Sequence, residues 1–231
     1  MSIQRIKLLG LQLATPMTYV EEDQSTWTSS LEKKPVCHAV YLRRDHLAGN
    51  EQADLRHHGG EDKTLYTMPM EHVCHWRSVY SLPDLPFGGL GENLTVLGAL
   101  ETDVCIGDRF QLGEAVVQIS QPRLPCWKIG RLWGVQEFGA QMEAEGRCGW
   151  YFRTIQEGSF SLADDLILLE RVQPEWTIAR VFQIITHPFE DLQSSKALLS
   201  IPEASKGMKD SLAGMLESGV YPDQTHRLYG D

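Results

Sequence analysis

Short β-branched and aromatic runs, each closed by a glycine or proline turn, recur along the first three quarters of the chain. They set the narrowest limit on its architecture. Runs over residues 3–13, 25–30, 36–42, 94–96, 104–112, 114–120, 148–155 and 166–169 read as strands, with turn signals at Pro16, Gly49-Asn50, Gly107-Asp108 and Gly113-Glu114. Such spacing fits a closed or partly closed β-barrel better than repeated strand–helix–strand units. Helical periodicity enters only in places. After Met68-Pro69, Met70, Val73, Cys74, Trp76, Val79 and Tyr80 share one face, with Pro69 well placed at the start. Residues 136–145 put Phe138 and Met142 together, with Gly146 just past the end. Beyond Pro174 the pattern is helical over 178–186, 189–199 and 204–217, and Thr177 can cap the first helix. The expected fold class is mainly β with helices, a barrel over residues 1–173 followed by a small three-helix bundle over 174–231.

Composition removes several function classes. The formal net charge of −10 argues against a general nucleic-acid or anionic-membrane surface, so any anion must find a local cluster of cations. The helical tail shows no basic recognition face. Five cysteines form no CxxC pair and leave an odd thiol in any disulfide scheme, which points to a reduced, cytoplasmic setting. The leucine-rich start is interrupted by Gly10 and Gln12 and reads as a strand, not a signal peptide, and no apolar run is long enough to span a bilayer.

Three stretches carry candidate chemistry. The strand ending at Ser120 runs into Gln121-Pro122-Arg123-Leu124-Pro125-Cys126-Trp127-Lys128, where two prolines stiffen the loop that delivers Cys126 between cations. Arg123 and Lys128 would favour a thiolate, as a nucleophile or a soft-metal ligand requires; a buried structural cysteine fits the same spacing. Arg56-His57-His58-Gly59-Gly60-Glu61-Asp62-Lys63 places paired glycines among cations, a nest for phosphate or a solvated turn before a helix. Gly91-Glu92-Asn93 stands at a loop–strand junction, where the carboxylate and amide can meet a polar ring edge or satisfy turn backbone groups. Cys74, Cys105 and Cys148 are core candidates.

Taken in order, His58-Gly59-Gly60-Glu61-Asp62-Lys63, Gly91-Glu92-Asn93-Leu94, Ser120 to Lys128 and Gly149-Trp150-Tyr151 resemble the motifs of the MOSC domain family, named for the C-terminal domain of molybdenum cofactor sulfurase. The helical tail makes the chain resemble the YiiM type within it. The resemblance implies a MOSC-type β-barrel that binds the molybdenum–molybdopterin cofactor, with Cys126 as the metal ligand and catalytic residue. It implies a pocket drawn from Arg56, His58, Gly59, Gly60, Lys63, Glu92, Asn93, Gln121, Arg123 and Lys128. The implied activity is reduction of N-hydroxylated bases such as 6-N-hydroxylaminopurine, with the oxygen leaving as water. Glu61 stands where this type commonly has proline, which leaves the shape of that loop open. Tails of relatives continue into flavin and iron–sulfur modules, so a separate electron-donor protein is expected; a homodimer is suggested only by the resemblance. The competing expectation is a non-catalytic carrier, holding either the cofactor or a persulfide sulfur on Cys126.

Overall fold

The structure, a computed structural model, describes residues 5–54 and 59–230. Among these, seven strands close into a ring. β1 (Arg5–Leu13) pairs antiparallel with β7 (Leu94–Leu97) on one side and with β12 (Leu166–Glu170) on the other. From β12 the order continues through β8 (Arg109–Leu112), β9 (Ala115–Pro122), β10 (Trp150–Gln156) and β6 (Leu65–Pro69) to β7. The two-residue β4 (Lys34–Pro35) hangs on the far end of β1. Every neighbouring pair in the ring is antiparallel except β6–β7. A parallel pair needs a crossover, and α1 (Met70–Val79) supplies it.

Two small hairpins stand outside the ring, β2 (Met17–Val20) with β3 (Thr26–Ser29) and β5 (Val40–Leu42) with β11 (Gly158–Phe160). Of the strand expected over residues 36–42 only Val40–Leu42 forms, as β5; β4 ends just before that stretch at Pro35, and the two pair with different partners. β6 is an element that periodicity does not reveal. All five of its residues are buried, so it lacks the alternation that marks a half-exposed strand. One side of α1 buries His72, Val73 and Trp76, while Cys74 points away and is exposed, contrary to expectation. Cys105 and Cys148 are buried as expected.

The barrel interior is filled by Ile6, Leu8, Phe110, Val117, Ile119, Phe152 and Leu166. After β9 come α2 (Lys128–Trp133) and α3 (Phe138–Glu145). The tail forms α4 (Ile178–Thr186), α5 (Leu192–Leu199) and α6 (Lys206–Ser218), capped by Thr177, Asp191 and Ser205 through side-chain oxygens that accept backbone N–H groups. Ile178, Val181, Leu198 and Leu212 join the same apolar cluster as the barrel strands. A fourth, short helix, α7 (Thr225–Tyr229), lies beyond the three expected. No helix among the described residues is long and apolar enough to cross a membrane.

Candidate functional site

The pairing of β9 with β10 ends at Pro122, and the Arg123 N–H donates to the Gly149 carbonyl at 3.1 Å just past it. The chain then leaves the barrel wall through Leu124-Pro125 and presents Cys126, half-buried, before α2 begins. The carbonyl of Cys126 accepts from the Ile129 N–H at 3.3 Å, which ties the cysteine to the first turn of that helix. On the hairpin side, Lys128 Nζ donates to the Thr28 carbonyl at 2.8 Å, and the rings of Trp27 and Trp127 lie 5.6 Å apart. The loop is stiffened by proline and held by its neighbours.

Cys126 opens onto a cleft with about 570 Å³ of empty space out to the solvent. Among the residues expected at the site, Lys63, Asn93, Arg123 and Lys128 line this cleft with it. Lys33, Asn50, Tyr66 and Tyr151 also line it, with Asp54 as a facing carboxylate. Four cationic side chains thus converge in a chain whose net charge is −10.

Arg123 is the least expected of them energetically. It is 2% exposed, and its Nε and Nη1 have no hydrogen-bond partner among the described residues. Its guanidinium lies 4.7 Å from the centroid of the Tyr66 ring, which offers an aromatic face but no counter-charge. A buried cation with unpaired donors is costly unless something meets it, and an anionic ligand in the cleft is such a partner. Lys33 is buried as well, at 7% exposure, and Nζ donates to Asn50 Oδ1 at 2.8 Å. Burial pushes its pKa down to about 8, with Glu92 opposing and Arg123 reinforcing the shift. Burial likewise holds Lys63 below the usual lysine range. Burial raises the phenols of Tyr66 and Tyr151, so both rings stay neutral walls.

Asn50 Oδ1 collects three donors, Lys33 Nζ, Asn93 Nδ2 at 3.0 Å and the Ala14 N–H at 3.2 Å. Asn93 Oδ1 accepts from the Tyr66 N–H at 3.2 Å. The two amides lock the β1 end, the 45–54 loop and β6 into one rim.

The remaining expected residues fall elsewhere. Glu92 is fully buried behind the rim, and its carboxylate accepts from the Gly88 and Leu90 N–H groups and from Thr95 Oγ1 at 2.7, 3.1 and 3.0 Å. Burial raises its pKa against those bonds. Gln121 Oε1 accepts from Ser205 Oγ at 2.6 Å, joining β9 to the start of α6. Gly59 and Gly60 lead into a 3-10 turn (Glu61–Lys63) whose end brings Lys63 to the cleft. Asp62 in that turn pairs with Arg153 at 2.7 Å. Arg56 and His58 lie outside the described residues. Lys33 and Asn50 escaped sequence reasoning because one sits in the polar run Glu32-Lys33-Lys34-Pro35 and the other in a Gly-Asn turn, both of which look solvated. No sequence signal would have found Lys33. Among the described residues no three His, Cys, Asp or Glu side chains are grouped to hold a metal ion.

Comparison with known proteins places these features in a family. The MOSC domain model matches residues 54–167, a span that contains all four ordered motifs. The chain is 38% identical over 211 residues to the uncharacterized protein YflK of Bacillus subtilis, covering 91% of this chain and 95% of that one. It is 34% identical over 205 residues to protein YiiM of Escherichia coli, covering 87% and 91% of the two chains. A protein of Gibberella moniliformis named reductase is 31% identical over 161 residues, 68% of this chain and 28% of that one. The crystal structure of YiiM from Geobacillus stearothermophilus superposes with a TM-score of 0.77 at 30% identity, over 91% of this chain and 99% of that one.

Proposed function

The chain belongs to the MOSC domain family, with YiiM proteins among its relatives, and from that premise we propose that it binds the molybdenum–molybdopterin cofactor and reduces N-hydroxylated compounds. The observation that carries this reading is Arg123, a buried cation with two unpaired donors beside a positioned thiol. The donor set matches the parts of such a cofactor: cations for its phosphate, neutral amide and phenol groups for a pterin, and a thiolate for a soft metal. Arg123, Lys63, Lys33 and Lys128 would hold the anionic part, Asn93 and the Tyr66–Tyr151 wall would border the ring, and Cys126 would ligate the metal. Arg56, His58, Gly59 and Gly60 are proposed to complete the phosphate side. Glu92 and Gln121 would act from behind, the first by shaping the Gly88–Gly91 turn and the second by bracing β9.

When bound, the cofactor supplies the two-electron chemistry. The overall change consumes two electrons and two protons, breaks the N–O bond, and yields an amine and water. The electrons come, on this reading, from a separate donor protein. Lys33, with a pKa of about 8, can hold or release a proton near neutral pH in the cleft. The test is protein isolated from a cofactor-competent host. Stoichiometric molybdenum and pterin, with turnover of 6-N-hydroxylaminopurine lost in Cys126→Ala, is the expected result. Retained turnover in Cys126→Ala would overturn the role of the thiol. A labile added sulfur on Cys126, with neither pterin nor turnover, would show a persulfide carrier instead.

A further inference from the structure

The C-terminal segment returns across the molecule to the loop that carries Cys126. Arg227, on α7, bonds to both neighbours of Cys126. Its backbone carbonyl accepts from the Trp127 N–H at 2.7 Å, and its Nη1 donates to the Pro125 carbonyl at 2.7 Å. The guanidinium is itself anchored, by an ion pair from Nη2 to Glu143 on α3 at 2.7 Å and by Nε to Gln224 Oε1 at 2.8 Å. Gly230 (φ +81°) then lies flat on the Trp127 indole, where an added Cβ would come within 2.9 Å of the ring. The peptide units on either side of Cys126 are thus fixed by one residue from 101 positions away in sequence.

We infer that the α7 segment is a clamp that positions Cys126, with Arg227 as the positioning residue and Glu143 as its anchor. A cysteine held through both flanking peptides keeps its Cα–Cβ bond in one direction and leaves its sulfur only the staggered χ1 positions, a restriction that serves a metal ligand and that a structural thiol does not need. The benefit to catalysis rests on the cofactor reading above; the clamp itself does not.

The test measures iodoacetamide alkylation of the full chain expressed without molybdenum, resolved by peptide so that Cys126 is separated from the exposed Cys37 and Cys74. Losing charge-assisted bonds of this kind in Arg227→Met is expected to raise alkylation of Cys126 about tenfold. Hydrogen exchange at the Trp127 amide should rise with it, while Cys37 and Cys74 react at their former rates. Arg227→Lys, which keeps one donor for Pro125 or Glu143, should fall between the two. Unchanged Cys126 alkylation and exchange would overturn the inference, as would an equal rise at every cysteine, which marks general loosening. Should Arg227→Met fail to fold, Glu143→Gln decides in its place, by a rise confined to Cys126 or its absence. None of these rates depends on cofactor, so failure of the cofactor reading would leave them standing, and their failure would leave that reading untouched.

Discussion

Arg123 and Lys33 put opposite demands on the folded chain and on its ligand. Removing a buried charge with two unpaired donors relieves desolvation, so Arg123→Met without cofactor should be more stable than the parent by about 1–2 kcal/mol, after allowing for the lost Tyr66 and Tyr151 contacts. The same variant should be isolated with little pterin. A merely structural arginine would show the reverse, lower stability and unchanged pterin content; urea unfolding and pterin fluorescence on the same preparations separate the two. For Lys33 the sign follows from its depressed pKa, about 8 in the folded chain against 10.5 for the ordinary group. Below pH 8 the lysine is charged in both states and its burial penalty is fully felt. Between 8 and 10.5 only the unfolded chain keeps the proton, so stability rises with pH across that window. Lys33→Met should therefore stabilise the cofactor-free chain at pH 7 by roughly 1–2 kcal/mol, a gain that fades by pH 10.5. In the parent protein, anion binding to the cleft should weaken as pH rises through about 8, as titration calorimetry with inorganic phosphate would show. At this scale the sequence was only partly legible. Prolines and neighbouring cations marked Cys126 and Arg123, whereas Lys33 and Asn50 acquire their character only from burial, which a polar run does not display.

Among the elements, the parallel β6–β7 pair decides where the cleft opens. Its register brings Thr67 opposite Leu94, and on the other edge β10 begins at Trp150 opposite Thr67. Gly149 (φ +69°) makes the turn into β10, and an added Cβ would meet the Thr67 carbonyl at 2.1 Å. Backbone cannot give way as a flexible side chain can. Gly149→Ala should thus lower stability by about 2–4 kcal/mol, and through the Arg123 N–H bond to the Gly149 carbonyl it should disturb the cleft as well. Thermal unfolding checks the first effect and loss of cofactor the second. The tail helices and the β9 strand could be read in the sequence because each shows one apolar face or a clear stop. β6 could not, being buried on both faces, and α7 is too short to show a period.

For the molecule as a whole, the turn spacing pointed to a barrel, and seven strands do close into one. The unforeseen part is the relation of barrel to tail. We propose the division at residues 173/174 as two structural units, yet the buried faces of α4, α5 and α6 merge with the barrel core in one cluster. The hydrogen bond from buried Ser205 to Gln121 joins them as well. Calorimetry should accordingly show one unfolding transition for the full chain; two separated transitions would mean that the shared cluster does not couple the units. Long-range contacts such as Arg227 with Pro125 leave no trace in local sequence patterns, which is why the tail read as a satellite when it reaches back to the cysteine loop.

The central claim is that Cys126 ligates molybdenum in the cleft, and the most direct measurement is molybdenum K-edge X-ray absorption on protein from a cofactor-competent host. A metal ligand at Cys126 requires that Cys126→Ser protein, still carrying pterin, show one sulfur neighbour fewer than the parent. An identical sulfur shell in the two proteins would contradict it.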